Sequence, residues 1–154
     1  MLKPLIALSL LAACLLANAN DTASAAGEPS VAERMANARA AVKAGKWKDA
    51  QGELKVALVD DPKNADAHNL LAYSYRKQAT PDLPKAFEHY GMALKLNPKH
   101  KGAHEYIGEA YLMDKRPAEA EKHLVELEKI CGNKTCEEYA DLSKALAAYK
   151  AKAR

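Results

Sequence analysis

The chain carries two patterns of hydrophobic positions. Residues Leu5 to Leu16 form a twelve-residue stretch dominated by apolar side chains, preceded by Lys3. From Val31 onward the apolar residues recur at helical spacing, in pairs of amphipathic segments separated by short turns. Three successive segments repeat this arrangement: residues 31–64 with 34 residues, 65–100 with 36, and 101–134 with 34. The two extra residues of the second segment fall in its TPDLP turn. A final stretch, 135–152, places Tyr139, Leu142, Leu146 and Tyr149 on one helical stripe, with Lys150 and Lys152 in its last turn and Arg154 just beyond to complement the helix dipole.

The repeats share contact residues as well as length. Their eighth positions hold Ala38, Ala72 and Gly108, and their eleventh Ala41, Tyr75 and Tyr111. Ala50, Ala86 and Ala120 occupy the twentieth position, followed by Leu54, Tyr90 and Leu124 and then by Ala57, Ala93 and Leu127. Small residues at matching places on paired helices allow close approach, and the bulky ones fill the remaining space. Gly45 suits a turn that needs positive φ. Pro84 and Pro117 suit first-turn positions of second helices, where no intrahelical donor is lost. Pro62 and Pro98 end one unit before the next begins. Thr135 and Glu138 have capping-box spacing and predict a helix starting near residue 136.

This pattern resembles the tetratricopeptide repeat (TPR) family over nearly the whole chain after the N-terminal stretch. The resemblance implies an all-α fold, an α-solenoid of three TPR helix pairs plus a C-terminal capping helix, within a single domain spanning 31–154. No unit can bury its apolar face alone, so the stack is the folding entity and the last helix is its solvating cap.

The N-terminal stretch changes the expected location. A basic residue, a short apolar run and two small-x-small sites, Ala17-Asn18-Ala19 and Ala23-Ser24-Ala25, read as a secretory signal peptide over 1–25. Residues 26–30 then form a disordered lead-in. The run is too short to span a bilayer, and no other segment is long enough. Leu11-Ala12-Ala13-Cys14 also resembles a lipobox, which would leave the protein lipid-anchored through Cys14 on an inner or outer membrane. Either route leads to the periplasm.

Composition narrows the function. Hydrophobic residues make up 49% of the chain but aromatic ones only 6%, which favours close-packed helices over sheets. A net charge of +3 with 28% charged residues gives a mixed surface rather than a nucleic-acid-binding field. No GxSxG, P-loop, HExxH or CxxCH motif occurs, and no cofactor is implied. Glu119, Glu121, Glu126 and Glu128, with Lys122 and Lys129, read as a solvated helical face.

Three kinds of chemistry remain for Cys131 and Cys136 in CGNKTC. A disulfide would fasten the cap to the last repeat, a short loop whose closure is worth about 2 kcal/mol. A Cys at a helix N-terminus has a depressed pKa and could sense redox state, although the spacing is not CxxC. A zinc site would need two further ligands, and no other Cys or His lies within seven residues of either cysteine. Five histidines offer a metal storage or delivery alternative. His68 and His104, however, share the fourth repeat position, where the family packs a large residue, and His100 falls at a helix boundary.

The TPR resemblance also implies where a partner would bind. The family's inner groove is lined by first helices and typically holds peptides or proteins. Its groove positions fall here on Met35, Arg39 and Lys43; on Asn69, Tyr73, Arg76 and Lys77; and on Glu105, Glu109, Leu112 and Met113. That set predicts a bipolar groove, basic in two units and acidic in the third, with Tyr73 and Met113 as apolar anchors. The carboxylate clamp of chaperone-binding TPRs is missing, since its positions read Met35, Arg39, Leu70, Gly102 and Tyr106. The expected function is a non-catalytic periplasmic adaptor or scaffold that binds a protein or peptide of the cell envelope. The alternative is a thiol–disulfide redox module using Cys131 and Cys136.

Overall fold

A computed structural model describes residues 27–153. The signal peptide, its cleavage sites and Cys14 therefore lie outside the described residues. Seven helices and no strand occur among the latter: α1 (Val31–Lys43), α2 (Trp47–Asp60), α3 (Ala65–Lys77), α4 (Leu83–Leu96), α5 (Lys101–Met113), α6 (Pro117–Cys131) and α7 (Glu137–Lys152). They pack as the pairs α1/α2, α3/α4 and α5/α6, each leaning on the next, with α7 across both α5 and α6. The order of elements is that of the three predicted units and the cap. No helix among the described residues is long and apolar enough to cross a membrane.

Local signals explain the boundaries. Ser30, the last residue of the expected lead-in, is ordered as the N-cap of α1. Its hydroxyl accepts from the Glu33 amide while the Glu33 carboxylate accepts from the Ser30 amide, a reciprocal capping box. The two turns between units repeat each other. Asp61 and Asn97 accept from the amides of Lys63 and Lys99, and Asn64 and His100 then cap α3 and α5 through their side chains. Pro84 and Pro117 sit in the first turns of α4 and α6, as expected.

The turn within the first unit uses Gly45 at φ 70°, and α6 ends on Gly132 at φ 69°. At the matching turn of the third unit stands Lys115, forced to φ 60°. Both turns close through the same amide bonds, from Lys46 to the Ala41 carbonyl and from Arg116 to the Tyr111 carbonyl.

One cap differs from its prediction. Thr135 does not cap α7: its hydroxyl donates to Asn133 Oδ1, and Cys136 takes the N-cap position with no side-chain cap bond. Asn133 satisfies the turn instead, accepting from the amides of Thr135 and Cys136.

The repeat positions form the core. Ala38, Ala72, Ala50, Ala86, Ala120, Leu54, Tyr90, Ala57, Ala93 and Leu127 are all fully buried. Gly108 breaks the alanine series for a steric reason: a Cβ there would lie 2.6 and 2.7 Å from the two methyl carbons of Leu142. The cap therefore approaches α5 more closely than an alanine allows. Leu142 and Leu146 of α7 bury themselves with Leu112, Ala120 and Leu127 in a second cluster, separate from the main core.

Candidate protein-binding groove

The first helices α1, α3 and α5 stand side by side, and α7 packs beside α5 as a fourth member of the row. The groove positions fall on this face at different depths. Arg39, Lys43 and Lys77 are exposed, Met113 is 44% exposed, and Tyr73 and Glu109 are half-buried. Asn69, Arg76, Glu105 and Leu112 are buried, and Met35 belongs to the main core. Of these buried five, Arg76 and Leu112 still border the cleft described below, whereas Met35, Asn69 and Glu105 do not.

Arg76 is the centre of the buried set. Its Nε donates to the Tyr90 hydroxyl at 3.3 Å, and its Nη2 lies 2.7 Å from Glu109 Oε2. The guanidinium also lies over the rings of Tyr73 and Tyr106, 5.2 and 5.6 Å from their centroids. Tyr73 and Tyr106 pack at 4.8 Å, and Trp47 meets Tyr73 edge-on at 6.1 Å. One cation thus ties helix α3 to α4 and α5, and its charge is spent inside the protein.

The acidic half of the expected bipolar groove is neutralised. Glu109 is paired with Arg76, and burial, assisted by Glu109, Asp141 and Glu138, pushes the Glu105 carboxyl up to about 8. Glu105 therefore stays largely protonated at pH 7. Arg39 faces Asp66 at 3.9 Å across exposed surface. Of the groove positions, Lys43 and Lys77 then remain as cations that make no ion pair among the described residues.

Helices α3, α5 and α7 together border an open cleft of about 380 Å³. Leu112, Met113, Ala145, Ala148 and Tyr149 supply its apolar lining, Lys77 and Lys152 its charged margins, and the Arg76–Glu109 pair one wall. The cap helix thus does more than cover the last repeat: it contributes four residues to the cleft. The spacing of Tyr149 and Lys152 in α7 carried that signal, but only the packing of α7 against α5 reveals it.

Four of the five histidines are engaged with one another in two pairs. His68 Nδ1 lies 3.0 Å from His89 Nδ1, and His104 Nδ1 lies 2.9 Å from His123 Nδ1. The Nε2 atoms of His68 and His104 reach the carbonyls of Pro62 and Pro98, so they donate, which leaves each Nδ1 to accept from the partner ring when neutral. Burial first, and the facing histidine second, lower the pKa of His89 and bring His123 down to about 4. In the first unit the same two repeat positions hold Arg34 and Glu53, joined by an ion pair at 3.4 Å. His100 caps α5 and contacts Asp66 at 3.0 Å.

Cys131 and Cys136 stand on opposite sides of the α6–α7 turn with Cα atoms 6.3 Å apart, within the span of a disulfide, and their sulfurs lie at bonding distance. Among the described residues the one group of three that could hold a metal ion comprises these two sulfurs and a Glu138 oxygen.

A family model described as tetratricopeptide repeat matches residues 35–90 and 82–131. This chain belongs to the tetratricopeptide repeat family. No curated protein matches it in sequence. Among solved structures it is similar to the Yersinia enterocolitica type III secretion translocator chaperone SycD, with a TM-score of 0.71 at 21% identity, covering 80% of this chain and 94% of that one. The same chaperone in complex with a peptide of the translocator YopD gives a TM-score of 0.69 at 21% identity, covering 80% and 95%. A third structure of it gives 0.70 at 21%, covering 84% and 92%. At that identity the likeness concerns the TPR fold.

Proposed function

We propose that this TPR protein is a non-catalytic interaction module that binds a protein or peptide along the face formed by α1, α3, α5 and α7. The observation that carries this reading is the open cleft where Met113, Ala145, Ala148 and Tyr149 remain available beside Lys77 and Lys152. Partly exposed aromatic and apolar side chains on a rigid frame are the usual anchors of an interface. Membership in the TPR family and the peptide bound by SycD support the same reading.

The N-terminal stretch supports export, so the proposed setting is the periplasm, with an envelope protein as partner and the role of adaptor or scaffold. In that oxidising compartment Cys131 and Cys136 serve as a clip that holds the cap, and with it one wall of the cleft, against the last repeat.

Quantitative co-purification tests the assignment. Met113→Lys and Tyr73→Ala alter exposed or half-buried groove residues, whereas Val59→Lys alters an exposed residue of α2. The two groove variants should lose the partners that wild type retains, with Val59→Lys unaffected. Full retention of every partner by both groove variants would remove the assignment.

A further inference from the structure

Resting on the groove reading above, we infer that the α3/α5/α7 cleft selects a segment of the partner that places a large aliphatic side chain next to carboxylates. The apolar lining and the charge balance lead to this class together. Met113 and Tyr149 offer an apolar floor beside the small side chains of Ala145 and Ala148, which leave room for a Leu- or Met-sized group.

Charge decides the flanks. The Arg76 guanidinium and the Glu109 carboxylate cancel at 2.7 Å, so neither needs a charged ligand. Lys77 and Lys152 border the cleft from opposite helices, are exposed, and make no ion pair among the described residues. Lys150, two residues before Lys152, is by contrast paired with Glu121.

The rim continues beyond the cleft. α1 and α3 are both thirteen residues long and end at the same repeat position with exposed lysines, Lys43 and Lys77. α5 has the same length and ends instead on Met113. The last residues of the aligned helices thus read cation, cation, apolar, with Lys152 closing the row from α7. An extended segment crossing them meets lysine side chains on both sides of one apolar seat. Opposite charges near such a surface also raise the encounter rate, an effect that salt suppresses.

The test uses synthetic twelve-residue peptides on a Gly/Ser background, titrated into isotope-labelled protein and followed by NMR. One peptide carries Glu-Leu-Glu at its centre, and the others Gln-Leu-Gln, Lys-Leu-Lys and Glu-Ala-Glu. The Glu-Leu-Glu peptide should bind with shifts centred on Met113 and Tyr149. Losing both carboxylates should weaken it about three- to tenfold, as expected for two exposed ion pairs. Losing the leucine should weaken it by about tenfold or more. Lys77→Glu combined with Lys152→Glu should invert the preference toward Lys-Leu-Lys, with the helical spectrum unchanged. Equal affinity for the acidic and basic peptides, shifts elsewhere, or no binding at millimolar peptide would overturn the proposal. The groove reading is judged separately, by partner loss in Met113→Lys and Tyr73→Ala.

Discussion

Replacing Gly108 by alanine tests the close approach of α7 to α5. The new Cβ would sit 2.6 Å from Leu142 Cδ2, 2.7 Å from Cδ1 and 3.3 Å from Cγ, well inside the normal 3.5–4.0 Å contact between carbons. Leu142 is fully buried, so its methyls cannot swing into solvent, and α7 has to move away from α5. Overpacking of this kind costs about 1–3 kcal/mol, while alanine in place of glycine returns about 1 kcal/mol of helix propensity. The net expectation is a loss of up to about 2 kcal/mol. Leu142→Ala removes the three obstructing atoms, itself costing about 2–5 kcal/mol. In that background Gly108→Ala should become stabilising by about 1 kcal/mol, because only the propensity gain remains. Urea unfolding of the four proteins, followed by circular dichroism, reads this double-mutant cycle. The same effect of Gly108→Ala with and without Leu142 would refute the proposed steric coupling between cap and repeat.

Other perturbations have equally specific outcomes. Lys115→Gly should stabilise the protein by about 1 kcal/mol in thermal or urea melts, since a non-glycine residue at φ 60° is strained. Serine at both Cys131 and Cys136, or reduction of wild type, should cost about 2 kcal/mol, with faster amide exchange concentrated in α7. Glu105→Gln should stabilise the fold by about 1–2 kcal/mol at pH 8 and hardly at pH 4, the allowance for solvent screening included. The sign follows from a folded carboxyl at about 8 against an ordinary 4.5: above 4.5 the unfolded chain releases a proton that the folded one holds. In the Glu105→Gln background the histidine pairs should then dominate. His123 at about 4, against 6.5 unfolded, makes stability complete above pH 6.5 and falling by about 1–2 kcal/mol between pH 6.5 and 4 after the same screening allowance. A flat profile over that interval would contradict the His104–His123 pairing.

The fold was legible because its signals are local and repeated. Alanines at matching positions, prolines at helix starts and turn residues such as Gly45 each act within a few residues, and three copies reinforce one another. Burial along the groove was not legible in the same way. The family's positions specify which side of a helix Arg76 and Glu105 occupy, but their depth depends on α5 and α7 packing over them. The bipolar charge pattern failed for that reason: desolvation and one ion pair removed the acidic half. The histidine pairs had a readable signal in the recurrence of His68/His89 and His104/His123 at the positions where the first unit has Arg34 and Glu53. Pairing across two helices became evident only with both helices in place. The Thr135 cap failed because Asn133, two residues earlier, competes for the same hydroxyl and amides.

Site-specific photo-crosslinking in cells tests the binding face most directly. A photo-reactive benzoyl-phenylalanine is placed at residue 113, which borders the α3/α5/α7 cleft, and in a second strain at residue 59, 78% exposed on α2. Discrete adducts to another protein should form from residue 113 and not from residue 59. Adducts from residue 59 with none from residue 113 would place the partner on the opposite face and contradict the groove.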